Sequence, residues 1–480
     1  MQRSPRSRGD VWCVASLALA LVLSVLAGGC GPDTPLPSLA ITAPVDGAVI
    51  TGSRMVEVSG TYADATEVAV AVGDELPQTA VLTGGGFSSL VVVGNGGVTI
   101  TAVATGPGGT ASDAVVITYP YVPLVTNQAA RTVVGWPSFD TLSADVASPN
   151  SFKRPTGRPW FDGDRLVISD FQAAQALAFE PVPSLPGAAA AWFLGSDDGH
   201  GGPVSRDAGA TYGPTSLQAY EGRLFVLETG NQRLQVFDPV PVASGAVGDY
   251  VVGKADFADD DMGCARATWG DAEDFHIGGG RLVVADTSHH RVLVYLSVPS
   301  GPGALPDLVL GQAGFDACAP NRGLAAAADS LFAPEGVWTD GERLVVADTG
   351  NHRVLVWTAF PTVSGQPAAM VLGQPSFAST AQAAGAQGME RPARVDGNGN
   401  QLAVADAGNA RVLVWDAFPN AMQQPADLVL GQLDFDGSSG YGGEPNARNF
   451  LQPSGLAFGP DGLVVLDTLA RRALVFGAAY

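Results

Sequence analysis

The stretch Arg343–Trp357, RLVVADTGNHRVLVW, recurs through most of the chain. Near copies are RLVVADTSHHRVLVY at Arg281–Tyr295 and QLAVADAGNARVLVW at Gln401–Trp415. Looser copies are RLFVLETGNQRLQVF at Arg223–Phe237, GLVVLDTLARRALVF at Gly462–Phe476 and RLVISDFQAAQALAF at Arg165–Phe179. The six copies start 58 to 62 residues apart. A fixed period of this size means one supersecondary unit repeated, because a single unit cannot bury its apolar faces alone. Each copy is two runs rich in Val and Leu around a four-residue polar turn such as TGNH, which is a hairpin signal with Gly-Asn expected to supply the turn. The runs are almost continuously apolar, as strands covered on both faces require.

Two further signals complete the unit. VLGQAGF (Val309), VLGQPSF (Val371), VLGQLDF (Val429), VVGKADF (Val251) and FLGSDDG (Phe193) follow the hairpins, and segments such as APEGVWTDG and QPSGLAFGP precede them. Together these give four short strands per unit, the pattern of a propeller blade. The last hairpin ends at Phe476 with no such strand after it, whereas a spare copy, VVGWPSF at Val133–Phe139, precedes the first hairpin. The spare strand is therefore expected to complete the sixth blade and to close the ring without an open sheet edge.

The pattern P-x-G-V…G-x-L-x-V-A-D-T-G-N-H-R-V-x-V resembles the NHL repeat. The resemblance spans about Val133–Phe476, is fullest at Arg343–Trp357 and weakest in the first unit, where Phe171–Gln175 replace T-G-N-x-R. It implies an all-β chain whose residues 133–480 form a six-bladed β-propeller. That family contains enzymes, nucleic-acid binders and protein-binding scaffolds, so it implies a fold more than a function.

The N-terminal part reads differently. Residues 1–29 have the form of a targeting segment: Arg3, Arg6 and Arg8 precede the apolar Val11–Ala27, which is short for a transmembrane helix. Leu26-Ala27-Gly28-Gly29-Cys30 resembles the bacterial lipobox, with Ala27 where Leu is commonest, and so implies acylation of Cys30. The expected location is the bacterial cell envelope, lipid-anchored, at the outer membrane or cell surface rather than the inner membrane. Residues 30–38 then read as a tether, 39–119 as short alternating strands forming a β-sandwich, and 120–132 as a linker. The segment from Ile41 to Asp74 resembles bacterial Ig-like modules, here read as a spacer.

Charge narrows the partners. The formal net charge is −22, and Lys153 and Lys254 are the two lysines. With no basic stripe, the chain repels a phosphate backbone, which argues against nucleic acid. Beside Cys13 and Cys30 stand Cys264 and Cys318, each shortly after a VxGxxxF strand in the connections into successive blades. Neighbouring blades place such connections side by side, and an oxidising compartment favours a disulfide between them.

The repeating pairs Asp286/Arg291, Asp348/Arg353, Asp406/Arg411 and Asp467/Arg472, with Glu228/Arg233, flank each turn and read as structural ion pairs. The first unit has Asp170/Gln175 instead, so its hairpin is expected to be the loosest. Candidates for function are residues that break the repeat where the innermost strand begins: Arg158, Glu273, Asp274, Glu335 and Arg394, expected together at the mouth of the central channel. His276, His289, His290 and His352 lie on the same two units as the acids, so Ca or Zn is a possible ligand, although no cofactor is expected. There is no G-x-S-x-G, phosphate loop, H-E-x-x-H or C-x-x-C. The sequence thus supports a monomeric, membrane-tethered, non-catalytic scaffold that binds a protein, peptide or glycan on its long-loop face. The alternative is a metal-dependent hydrolase or lyase with its site at the channel mouth.

Overall fold

The computed structural model describes residues 35–48, 55–73, 76–93, 96–119, 124–141, 145–438, 444–459 and 462–477. The targeting segment and Cys30 lie outside the described residues. The chain forms two compact units. One contains Met55–Val93 and Gly97–Ile117 with the segment before Val49, and the other contains Thr118–Tyr480.

Among the described residues the first unit has two four-stranded antiparallel sheets. One orders Ser38–Ala43, Met55–Ala63, Gly86–Val92 and Val81–Thr83; the other orders Gln78–Thr79, Glu67–Val72, Gly96–Gly106 and Gly109–Tyr119. Alternation sets the buried side: Val68, Val70 and Val72 are buried while Glu67 is exposed.

The second unit is a β-propeller built from six four-stranded antiparallel sheets among the described residues. Sheet 1 comprises Trp160–Phe161, Leu166–Asp170, Gln175–Phe179 and Trp192–Leu194. Sheet 2 comprises Pro214–Tyr220, Arg223–Glu228, Arg233–Phe237 and Tyr250–Val252. Sheet 3 comprises Asp274–Gly278, Arg281–Asp286, Arg291–Tyr295 and Leu308–Leu310. Sheet 4 comprises Gly336–Thr339, Leu344–Asp348, Arg353–Trp357 and Met370–Leu372. Sheet 5 comprises Pro392–Gly397, Leu402–Asp406, Arg411–Trp415 and Leu428–Leu430. Sheet 6 comprises Pro453–Gly459, Gly462–Asp467, Arg472–Gly477 and, from the other end of the unit, Thr132–Val134.

The first strand of each sheet packs against the first strand of the next, and Trp160–Phe161 meets Pro453–Gly459, so the sheets form a closed ring. Val133 pairs with Leu474. The core lies between sheets: Val283 and Val292 of sheet 3 pack with Val337, Val346 and Leu355 of sheet 4, all fully buried. Each such side chain contributes roughly 1.5–3 kcal/mol on burial, which is why the apolar runs are continuous.

The segment expected to be a linker is structured where it is described. Leu124 and Ala130 enter the core under sheets 5 and 6, and Asn127 N donates to Val429 O at 2.9 Å. A run of prolines and polar residues concealed two apolar anchors.

The hairpin turn also differs from expectation. In sheet 4 it is a 3-10 turn, Thr349–Asn351, closed by His352 at φ 54°, ψ 42°. The left-handed residue is therefore His352, with Gln232, His290 and Ala410 in the same role elsewhere, and not the glycine. Glycine serves a close approach instead: a Cβ on Gly350 would come 2.6 Å from Phe332 O, and on Gly408 2.5 Å from Glu390 O.

Candidate functional site

Each hairpin end carries a buried clasp. In sheet 4, Asp348 and Arg353 are fully buried. Asp348 accepts from Phe332 N, from Asn351 Nδ2 and from Arg353 Nε, each at 2.7 Å. Arg353 also donates to the carbonyls of Ala327 and Ser330 at 2.9 Å and to that of Phe377, the last residue of VLGQPSF. Asp286–Arg291, Asp406–Arg411, Asp467–Arg472 and Glu228–Arg233 repeat this pairing at 2.6–3.1 Å. Buried ions require this degree of satisfaction, since neither charge is hydrated.

The turn threonines fasten neighbouring sheets. Thr229, Thr287, Thr349 and Thr468 donate to the carbonyls of Ala272, Pro334, Pro392 and Pro155 at 2.6–2.7 Å. Two turn histidines do the same through an acceptor: His290 Nδ1 accepts from Ala333 N at 3.1 Å and His352 Nδ1 from Arg391 N at 3.0 Å. His289 lies 3.1 Å from Asp286.

On the outer side of this face Cys264 and Cys318 are joined as a disulfide, with Cα atoms 6.2 Å apart. Repeat-equivalent positions further round hold cavities of about 500 Å³, beside Gln374, Gln387 and Gln423, and about 670 Å³, beside Gln432, Glu444 and Arg448.

At the axis the five expected mouth residues separate into two groups. Arg158 and Asp274, 3% and 0% exposed, form one group. Arg158 donates to Asp274 Oδ2 at 3.2 Å, to the carbonyls of Val337 and Val395 at 2.8 and 2.9 Å, and to Asp396 Oδ1. Asp274 also accepts from Ser216 Oγ at 2.8 Å and Val337 N at 3.1 Å, and Asp396 from Phe458 N at 2.6 Å. One guanidinium from sheet 1 therefore ties together sheets 3, 4 and 5. Trp160 pairs with Val167 in the register in which His276 pairs with Val283, so Arg158 holds the position that hairpin counting gives, and what counting does not show is its partners across the ring.

Asp396 was not among the candidates. It sits two residues beyond Arg394 on one strand, as His276 sits two beyond Asp274, so strand alternation was the signal that would have found it. His276 lies 4.0 Å from Asp396 with its Nδ1 accepting from Thr339 N at 3.3 Å. Burial, and then the Arg158 charge, hold His276 well below its ordinary pKa, so the ring is neutral.

Glu273, Glu335 and Arg394 come together as the second group. Arg394, 2% exposed, donates to the carbonyls of Glu335, Ala393 and Glu273 at 2.7, 2.9 and 2.7 Å and meets Glu273 Oε2 at 3.5 Å. Both acids are partly buried, Glu273 with 31% of its side chain exposed. Loss of water pushes Glu335 up to about 7, with Arg394 opposing and the Glu273 charge adding. Glu273 is raised for the same first reason, opposed by Arg394 and Arg154. Among the described residues no group of three or more His, Cys, Asp and Glu converges as a metal site would.

No family model and no curated protein matches the chain. Among known structures it is similar to an auxiliary nutrient binding protein from Bacteroides ovatus, at 13% identity over 88% of this chain and 94% of that one, TM-score 0.39. It is also similar to the PQQ-bound aldose sugar dehydrogenase of Streptomyces coelicolor, at 12% identity over 73% and 98%, TM-score 0.38. A third is regucalcin, a calcium-binding protein from Agrobacterium tumefaciens, at 15% identity over 70% and 87%, TM-score 0.36. These likenesses assign neither a ligand nor a reaction to this chain.

Proposed function

We propose that this chain is an envelope lipoprotein, acylated at Cys30, in which an Ig-like spacer presents a six-bladed propeller of the NHL type as a non-catalytic recognition scaffold. The partner is a protein, peptide or glycan on the face that carries the turns, the long inter-sheet loops and the channel mouth. The observation that carries this reading is the state of the axial charges. Arg158, Asp274 and Asp396 are engaged with one another and with main-chain groups across the ring. Such a knot stiffens a platform and leaves its charged groups no proton or ligand to exchange.

The second reading, a metal-dependent hydrolase or lyase, draws on Glu335, because a carboxyl that titrates at about 7 suits a general base. One comparison separates the two. Partner capture from envelope extracts that survives Glu273→Ala and Glu335→Ala, with no stoichiometric metal by elemental analysis, supports the scaffold. One equivalent of Ca or Zn lost in either variant, together with loss of hydrolysis of a lactone or ester panel, favours the enzyme.

A further inference from the structure

Glu335 differs from every acid of the turn clasps and of the axial knot. Those carboxylates each receive several hydrogen bonds, whereas among the described residues no N–H or O–H donates to the Glu335 side chain. Its buried cationic neighbour is engaged elsewhere. Arg394 is fixed by three main-chain carbonyls, including that of Glu335 itself. A partly buried carboxylate without a donor lacks a favourable partner that a ligand can supply.

We infer that the channel mouth binds an organic ammonium group between the Glu335 and Glu273 carboxylates, an inference that rests on reading this face as a recognition surface. The charge balance selects a monocation. Two carboxylates face one buried guanidinium, and the remaining cations around them, Arg154 and Arg391, are exposed and screened by water. Asp271 adds a further negative charge beside Glu273. A divalent cation needs more oxygen ligands than converge here and would lie beside Arg394. An ammonium instead offers three compact donors, suited to two carboxylates and a carbonyl or hydroxyl. The overall charge of −22 steers cationic groups toward the molecule.

Protons provide the diagnostic. Because the free Glu335 carboxyl holds its proton up to about pH 7, an ammonium that binds its carboxylate form displaces that proton. The same shift acts on stability. A carboxyl raised from 4.5 to about 7 in the folded chain binds more protons there than when unfolded, so its effect is that stability falls as pH rises between those values.

The test is calorimetric titration of the full chain with n-butylamine and, separately, with calcium chloride. At pH 6.5, amine binding should release a proton, seen as a dependence of the heat on buffer ionisation enthalpy. Affinity should be about tenfold higher at pH 8 than at pH 5.5, the scale of one charge-assisted interaction. Glu335→Gln should abolish the proton release, weaken binding by a similar factor and flatten the stability slope; it keeps the shape and removes a strained charge, so folding should persist. Amine binding unchanged in Glu335→Gln, no saturable amine binding, or calcium bound in preference through the same glutamates each overturns the inference. If amine binding fails while partner capture on this face persists, the ammonium site is wrong and the scaffold stands.

Discussion

Sheets 1 and 4 are two versions of one repeat, held in different places. Sheet 4 is secured at its turn: Asp348 is paired with Arg353, and Thr349 fastens the turn to the next sheet. Sheet 1 has neither device. Phe171 replaces the threonine, and Gln175 replaces the arginine and bonds Gly199 O and Gly201 N at 3.1 Å. Asp170 is nonetheless fully buried, accepting from Lys153 N and Arg154 N at 2.8 Å and Ala173 N at 3.4 Å. What sheet 1 has in addition is Arg158, which crosses the axis and grips three other sheets. A repeat can lose its local clasp where a long-range one holds it, so the count of intact motifs is a poor guide to which unit is weakest.

The comparison is broken most directly at Arg158. Arg158→Met strands two buried carboxylates, and denaturant unfolding should show a loss of about 5 kcal/mol. A smaller loss than from a sheet 4 clasp variant would mean that sheet 1 is not held at the axis. Asp348→Ala leaves one buried guanidinium unpaired and should cost about 4 kcal/mol in the same assay. Replacing Cys264 and Cys318 by serine releases the connection into sheet 4, across a sequence separation of 54 residues, and should cost about 3 kcal/mol. Hydrogen exchange should then rise first in residues 316–331, leaving sheet 1 as it was. Asp170→Asn should cost only about 1 kcal/mol, since its partners are main-chain donors that an amide oxygen still serves in part; a loss equal to that of Asp348→Ala would erase the distinction between the sheets.

Much of this architecture could be read from residue patterns because each repeated element does a local job. The VLGQ strands, the turn pairs and the spare strand at Val133 announce themselves through spacing, and chain order brings the connections bearing Cys264 and Cys318 together. The site was legible only in part. Glu273, Glu335 and Arg394 fall where hairpin counting puts them. Arg158 falls there too, but its grip on Asp274 and Asp396 across the ring is not something counting reveals. Asp396 escaped because only the two positions that open the innermost strand were weighed, and it lies two residues further along Pro392–Gly397. Long-range charge pairing across an axis leaves no period in a sequence.

The pairing of Thr132–Val134 with Arg472–Gly477 sets an order of events in the making of the molecule. The strand that seals the ring is the first of the propeller's described strands to leave the ribosome, and its partner is the last of them. It must wait, extended and unpaired, while five sheets assemble beside it, and the loop it finally closes is almost the length of the unit. Premature termination anywhere before Arg472 therefore leaves an exposed strand edge at each end of an open stack, a state that proteases and holding chaperones recognise. Synthesis of the propeller's last strand and closure of its ring are a single checkpoint.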